Sequence, residues 1–183
     1  GLYFPADVHQ MDAVIKHIFT KEGMRFVFSN RSKLPEILTE GGEALHTGDY
    51  QFKPGCDEIV REGDAGWIVS FGDMLHRCLH VVETLRTEGI SVGLVNKPTL
   101  NTVDEDTIAR LGTSPFILVV ESLNQRTGLG IRYGTWLLER GLTPRYAHMG
   151  TTRPGNCGQA EQIPHQGLAP ADIEAKVRAM LAL

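Results

Sequence analysis

The sequence predicts an α/β fold in which helices cover both faces of a mostly parallel, mixed sheet of about five strands. Short apolar runs alternate with amphipathic helical stretches between residues 63 and 140. Glycine, proline or a helix-capping residue marks each junction between them. Residues 116–120 (FILVV) are continuously apolar, as expected for a strand buried on both faces. Together these features are typical of a three-layer α/β/α domain.

Residues 65–183 are predicted to form that domain. Its strands are expected at residues 67–71, 91–95, 116–120 and 145–148. Apolar stripes predict a helix from Met74 to a stop at Gly89, another from Leu129 to Gly141, and a last one from Pro170. A capping box formed by Thr102 and Glu105 predicts a short helix between the second and third strands. A long irregular loop is expected at residues 150–167.

Residues 1–38 predict the end of a second α/β domain whose beginning is missing. Met11, Val14, Ile15, Ile18 and Phe19 fall on one face of a helix that ends before Gly23, and residues 25–29 (RFVFS) predict a short buried strand. One helix and one strand cannot bury their apolar faces alone. Residues 39–64 are rich in glycine and charge and predict a linker, with a candidate strand at residues 50–53.

Composition and charge argue against several functional classes for this protein. The chain has 183 residues, of which 42% are hydrophobic and 22% charged, as in ordinary globular proteins. A net charge of −4 argues against nucleic acid or an anionic membrane surface as a partner. No apolar run reaches the roughly 20 residues of a membrane helix, and no signal peptide is visible. Three widely spaced cysteines predict neither a disulfide framework nor a zinc site, so a reducing cytoplasm is the expected location.

The order of short motifs along the chain resembles the transketolase family. Pro5-Ala6-Asp7 begins a segment that ends in Ser29, Arg31 and Leu34-Pro35, similar to the family's "S-R-x-x-L-P", although Asn30 intrudes after Ser29. The second domain is similar over its whole length, through residues 69–72, 85–92, 98–104, 120–121 and 128–130. Val103 stands where the family usually has proline. Any one motif is weak, whereas the order of the whole set is specific.

The resemblance implies a transketolase, which moves a two-carbon ketol unit between sugar phosphates. Thiamine diphosphate, anchored by a divalent metal such as magnesium, would supply the covalent chemistry. The arginine of the "S-R-x-x-L-P" motif helps to hold the substrate phosphate in the family, so the resemblance assigns that role to Arg31. A planar, permanently charged guanidinium suits a phosphate dianion. Family members are dimers with active sites at the subunit interface, so a homodimer is expected.

The sequence lacks the family's motif for the diphosphate and its metal, Gly-Asp-Gly followed by asparagine. We therefore expect these residues alone to be inactive and to bind no thiamine diphosphate or metal. Deoxyxylulose phosphate synthase and the β subunit of 2-oxoacid dehydrogenases remain alternatives within the superfamily. A non-catalytic dimerisation or regulatory module is an alternative of another class, which predicts that the apolar residues of 11–19 and 26–28 are covered within the chain.

Several further residues invite functional interpretations that the sequence does not favour. Gly128, Gly130 and Gly134 lack the dinucleotide-binding spacing and are expected to permit a tight turn and close packing. His76 and His80 have metal-ligand spacing but no HExxH pattern, so solvent or interface roles are expected. Glu121, after the apolar run, is expected to be structural. Arg153 is expected at a contact surface, and no base is identifiable beside Cys157.

Overall fold

The computed structural model describes residues 1–30, 33–155 and 162–182. Its first elements are β1 (Leu2–Tyr3), α1 (Val8–Ile18), β2 (Phe26–Val27), β3 (Glu58–Arg61), β4 (Gly66–Ser70) and α2 (Gly72–Thr87). They are followed by β5 (Val92–Asn96), α3 (Glu105–Leu111), β6 (Phe116–Asn124), α4 (Leu129–Glu139), β7 (Arg145–Thr151), α5 (Gln162–His165) and α6 (Pro170–Leu181).

The main sheet has five strands in the order β3-β5-β4-β6-β7. β4, β5, β6 and β7 are parallel, and β3 pairs antiparallel with β5 at one edge. Trp67 of β4 lies opposite Gly93 of β5 on one side and Ile117 of β6 on the other. The predicted α/β fold with a mixed, mostly parallel sheet is confirmed.

Two hydrophobic clusters lie on the two faces of this sheet. Successive side chains of a strand point to opposite faces, so Ile68 joins the cluster under α2 and α6, and Trp67 and Val69 join the cluster under α3 and α4. Residues of β4 and β5 are buried throughout. This explains why both strands read as continuous apolar runs.

The N-terminal segment, residues 1–30, docks against the carboxyl end of the main sheet. Its strands β1 and β2 form a separate two-stranded parallel sheet. Phe4 N donates to Pro98 O at 3.0 Å and Leu100 N donates to Leu2 O at 2.9 Å, so β1 is attached to the loop after β5. The Phe4 ring lies 5.5 Å from the ring of Phe71, at the end of β4.

Several predicted elements are wrong in detail. Residues 50–53 form no strand, whereas residues 58–61, in the predicted linker, form the edge strand β3. Helix α3 begins at Glu105 with Asp104 as its N-cap, whose side chain accepts from Thr107 N, so the Thr102–Glu105 capping box is wrong. Thr102 instead uses its carbonyl oxygen to accept from Lys97 Nζ.

Other elements differ in extent or burial. β6 continues to Asn124, and α5 lies within the loop predicted at residues 150–167. The predicted strand at 25–29 shrinks to two residues, and Phe26 is 53% exposed rather than buried. Helix α1 ends at Ile18, and Gly23 with φ 101° belongs to the turn that follows. Within the described ranges, no helix is both long and apolar enough to cross a membrane.

Candidate functional site

A cavity of about 390 Å³ opens where β1 and β2 of the N-terminal segment end. Its polar lining comprises Asp7 and three residues of the motif around Arg31, namely Ser29, Asn30 and Lys33. The rest of the lining is apolar and is formed by Phe4, Pro5, Val8, Met11 and Leu34. Carboxyl ends of parallel strands are where α/β proteins commonly bind ligands. This cavity is therefore the candidate substrate site.

The position of Arg31 itself lies outside the described residues. The structure therefore describes its neighbours Asn30 and Lys33 at the cavity but leaves the phosphate role of Arg31 a prediction. Lys33 adds a second cationic side chain beside the motif, and Asn30 adds an amide at the position where the sequence departs from the family pattern. A cation and an amide that line the cavity suit an anionic oxygen-rich group.

Asp7, which lines the cavity, is held by three hydrogen bonds. Its Oδ1 accepts from Gln10 N at 2.8 Å, which caps the N-terminus of α1. Its Oδ2 accepts from Ile37 N at 3.1 Å and pairs with His46 Nδ1 at 2.7 Å. Burial alone would raise the pKa of Asp7, but the hydrogen bonds from His46 and from the backbone hold it below its ordinary value.

His46 joins Asp7 to a second carboxylate. Its Nε2 lies 3.1 Å from Glu58 Oε2, and the His46 side chain is fully buried. Both partners are ionised carboxylates that only accept, so the ring donates from both nitrogens and carries a positive charge. Burial opposes that charge, but the hydrogen bonds to Asp7 and Glu58 prevail and raise the pKa of His46 to about 9.

Glu58, in β3, connects this hydrogen-bond network to the main sheet. It accepts from Tyr50 Oη at 2.5 Å, from Gln10 Nε2 at 2.9 Å and from Asn96 Nδ2 at 2.8 Å. We call these six residues the Asp7 cluster: Asp7, Gln10, His46, Tyr50, Glu58 and Asn96. It joins the N-terminal segment to β3 and β5 through hydrogen bonds between buried and partly buried polar side chains.

The sequence did not predict the Asp7 cluster. One signal was available, because Asp7 and Gln10 have the spacing of a capping box before an apolar stripe. The structure confirms half of that motif, since Gln10 N donates to Asp7, whereas Gln10 Oε1 accepts from Ala6 N at 2.8 Å. His46 and Glu58 lie in the stretch read as linker, where no periodicity marks them.

Glu121 is structural, as predicted. Its carboxylate accepts from Leu129 N at 2.7 Å and from Gly130 N at 2.8 Å, so it satisfies the first free amides of α4. Burial raises the pKa of Glu121, and the two backbone hydrogen bonds offset part of that rise. A Cβ on Gly128 would overlap this carboxylate, and one on Gly130 would overlap the His148 ring. The glycines thus serve close packing, in agreement with the sequence interpretation.

The other residues considered in the sequence analysis make contacts that are typical of structural roles. His76 Nε2 donates to Ala6 O at 2.8 Å, which ties α2 to the N-terminal segment, and burial lowers the pKa of His76. The described ranges contain no group of three or more His, Cys, Asp or Glu that could hold a metal ion. Arg153 lies in the loop before α5, and its Nη1 donates at 2.8 Å to the carbonyl oxygen of His165, the last residue of α5. Cys157 lies outside the described residues.

Comparison with known proteins identifies the family. The model of the transketolase C-terminal domain matches residues 55–173. The chain belongs to the transketolase C-terminal domain family. A transketolase family protein of Sinorhizobium fredii is 30% identical over 144 residues, which is 76% of this chain and 39% of that protein. A transketolase C-terminal section of Methanocaldococcus jannaschii is 26% identical over 87% of this chain and 48% of its own length.

This transketolase-family chain is also similar to other relatives. A pyruvate dehydrogenase E1 component β subunit of Staphylococcus epidermidis is 25% identical over 66% of the chain and 34% of that subunit. Among solved structures, a split gene transketolase described as an inactive β4 tetramer has a TM-score of 0.87 and 25% identity, covering 100% of this chain and 58% of that one. The chain thus spans 39% to 48% of the length of the two transketolase relatives.

Proposed function

We propose that the chain is the C-terminal part of a transketolase that transfers a two-carbon ketol unit between sugar phosphates. The observation that carries this proposal is the structural match to a split gene transketolase. It extends over the entire chain, including the N-terminal segment, which lies outside the matched domain at residues 55–173. The family match alone would fit any protein that contains the C-terminal domain, whereas the match over the whole chain also includes residues 1–54, which carry the motif around Arg31.

Arg31 is proposed to hold the substrate phosphate, together with Asn30 and Lys33 at the cavity. Two cations and an amide around one anion give charge-assisted hydrogen bonds, which are stronger than neutral ones. Ser29, which also lines this cavity, adds a hydroxyl group. The residues from 29 to 34 follow β2, so the phosphate would be held at the carboxyl end of a parallel strand pair.

The chain is proposed to depend on other polypeptide for thiamine diphosphate and magnesium. The described residues offer no metal-ligating group, and the cavity beside Ser29 has no carboxylate pair facing it. The residues present do not fit the diphosphate and its metal, so we assign no catalytic step to this chain through that cofactor. Calorimetric titration of the purified chain with thiamine diphosphate and magnesium should give no heat at micromolar cofactor, and micromolar binding would contradict the proposal.

Apolar side chains of the N-terminal segment are exposed, which supports assembly with further polypeptide. Ile15 is 43% exposed, Phe19 83%, Met24 78% and Phe26 53%. The non-catalytic module predicted that the apolar residues of 11–19 and 26–28 would be covered within the chain; Val14 is buried, but Ile15, Phe19 and Phe26 are exposed. The complete enzyme is proposed to be a cytoplasmic homodimer, in which the rest of the N-terminal domain or a second copy covers them.

Steady-state kinetics of the complete enzyme test the phosphate role of Arg31. Arg31→Ala is expected to raise KM for a sugar phosphate by about tenfold or more, and to leave a substrate without phosphate unaffected, because the lost interaction is with phosphate alone. Arg178→Ala on α6, whose partners are the surface residues Glu88 and Glu174, is the matched control and should change neither. Equal effects of Arg31→Ala on both substrates would contradict the role.

The β subunit of a 2-oxoacid dehydrogenase is the second candidate, supported by the similarity to pyruvate dehydrogenase subunits. Such an enzyme would decarboxylate a 2-oxoacid and would not need a phosphate site. Assay of the complete enzyme with pyruvate and, separately, with a ketose phosphate and an aldose phosphate decides between the two. Turnover of pyruvate without ketol transfer would replace our proposal with this one.

A further inference from the structure

We propose that His46 is a positioning residue that, through Asp7, fixes Ile37 at the end of the loop after β2 and thereby supports binding of the substrate phosphate. The inference rests on the proposed function, because it concerns the same phosphate site. His46 does not line the substrate cavity. Its effect must therefore pass through Asp7, which lines the cavity and contacts both His46 and the end of the loop.

The loop is held at its two ends. At its beginning, Phe28 N donates to Tyr3 O at 2.8 Å and fixes β2 on β1. At its end, Ile37 N donates to Asp7 Oδ2 at 3.1 Å, and His9 Nε2 lies 2.7 Å from Glu36 Oε1 at the surface. The Asp7 contact is buried and the His9 contact is exposed, so the Asp7 contact is the stronger restraint on the end of the loop.

A tight turn brings His46 back to the end of the loop. Leu45 N donates to Ile37 O at 2.7 Å, and Thr39 N donates to Glu43 O at 2.8 Å, so residues 37–45 fold back on themselves. The ring of His46 then lies beside Asp7 Oδ2, the same oxygen that accepts from Ile37 N. One carboxylate oxygen therefore receives both the loop amide and the imidazolium.

Without the imidazolium, Asp7 would be a buried anion held only by backbone amides. Such an anion favours rotation towards water or uptake of a proton, and either change weakens its bond to Ile37 N. His46 is itself held on its far side by Glu58, which accepts from Tyr50, Gln10 and Asn96. The orientation of Asp7, and with it the end of the phosphate loop, is thus fixed against β3 and β5.

Two substitutions of His46 separate this role from general support of the fold. In His46→Asn the side-chain amide can replace Nδ1 as donor to Asp7 but cannot reach Glu58. In His46→Gln the amide can replace Nε2 as donor to Glu58 but leaves Asp7 without its partner. Each variant loses one of the two His46 hydrogen bonds, the buried one to Asp7 or the partly buried one to Glu58, and both variants lose the imidazolium charge. Thermal melting of both variants checks that each is folded.

The first measurement is hydrogen exchange at the Ile37 amide in this chain, followed by NMR. His46→Gln should speed exchange of that amide about tenfold relative to His46→Asn, because only the glutamine variant loses the donor to Asp7. Equal exchange rates in the two folded variants would overturn the inference. This readout needs no turnover, so it is independent of the proposed function.

The second measurement is kinetics of the complete enzyme. His46→Gln should raise KM for a sugar phosphate about tenfold with kcat little changed, and His46→Asn should restore KM towards the unsubstituted value. If Arg31→Ala raises KM but the two His46 variants behave alike, the inference fails and the proposed phosphate site stands. If Arg31→Ala leaves KM unchanged, the proposed phosphate site fails. The inference then fails with it, because a difference in KM between the His46 variants could not arise from that site.

Discussion

Lys97 Nζ lies 2.7 Å from Asp57 Oδ1, and only 1% of each side chain is exposed. The Lys97 ammonium also donates to Thr102 O at 2.8 Å and lies 5.5 Å from the centre of the Trp136 ring. Burial raises the pKa of Asp57 to about 6, although attraction to Lys97 opposes that rise. This buried pair ties the residue before β3 to the residue after β5, at the end of the sheet that the N-terminal segment covers.

Lys97→Met is expected to destabilise the chain by about 3–5 kcal/mol, because it leaves the Asp57 carboxylate buried without its partner. Urea unfolding gives the free energy. Lys16→Met is the matched control, since Lys16 pairs with Asp12 at the surface, where the side chains are 74% and 60% exposed, and such pairs are worth about 1 kcal/mol or less. Similar losses in both variants would show that burial does not decide the strength of the pair.

Gly128→Ala is expected to destabilise the chain by roughly 1–3 kcal/mol, because the added methyl group would displace the Glu121 carboxylate from the amides of Leu129 and Gly130. Gly41→Ala is the control, since its added Cβ would meet just one neighbouring atom, Thr39 Oγ1, at an ordinary 3.6 Å. Urea unfolding of the two variants compares them. A Gly128→Ala variant as stable as Gly41→Ala would contradict the proposed geometry at the start of α4.

The central strands were predictable from sequence because both faces of each are buried. β4 and β5 lie between two helical layers, so almost any residue there must be apolar, and the run itself identifies the strand. The edge strand β3 was missed because it has just two apolar residues, Ile59 and Val60, between the charged Glu58 and Arg61, and so shows no strand periodicity. The guanidinium of Arg61 in β3 is buried, where it pairs with Glu83 of α2 and donates to Leu38 O and Val60 O, and periodicity cannot reveal such contacts.

The candidate site was predictable only in part. The motif around Arg31 identified the loop that the structure places at the cavity, since Ser29 and Lys33 line it. The Asp7 cluster was not predictable, because Asp7 and His46 are 39 residues apart and meet only after the turn at residues 37–45 has formed. A lone histidine in a polar stretch carries no signal of such a partner.

The charged form of His46 should make stability fall in alkaline solution. Its pKa rises from 6.5 to about 9 on folding, so its contribution is complete below pH 6.5 and is lost as the pH rises through about 9. The shift corresponds to roughly 3 kcal/mol. The pKa of Asp7 shifts the other way, below 3.8, so its contribution is present above that pH and is lost as the pH falls through the lowered value.

Urea unfolding at about pH 6 and at about pH 10 measures the alkaline loss. The groups that face the His46 ring are Asp7, Glu58 and Tyr50, so the same comparison in His46→Gln isolates the histidine. The variant should lose less stability than the unsubstituted chain over this range, because it has no imidazolium to titrate. An equal loss in both would assign the alkaline effect to other groups.

Phe4 should decide whether the N-terminal segment stays docked on the carboxyl end of the main sheet. Phe4 is 5% exposed; its ring stacks on that of Phe28 at 5.5 Å, lies tilted against that of Phe71 at 5.5 Å, and packs beside Gly72. Phe4→Ala removes a ring that contacts both Phe28, after β2, and Phe71, after β4, with an expected cost of about 3–5 kcal/mol. Phe4 belongs to the cluster under α3 and α4 and not to the one under α2 and α6, so we expect the loss to fall first on the docking of the segment and to spare the core under α2 and α6.

Limited proteolysis followed by mass spectrometry measures that docking. In Phe4→Ala, cleavage within residues 1–54 should accelerate while the portion from residue 55 onward stays resistant, because local opening follows the local free energy. Phe19→Ala is the control: its ring is 83% exposed, so it should leave the cleavage rate unchanged. Uniform acceleration along the whole Phe4→Ala chain would mean that the segment and the five-stranded sheet unfold as one unit, and that Phe4 stabilises both together.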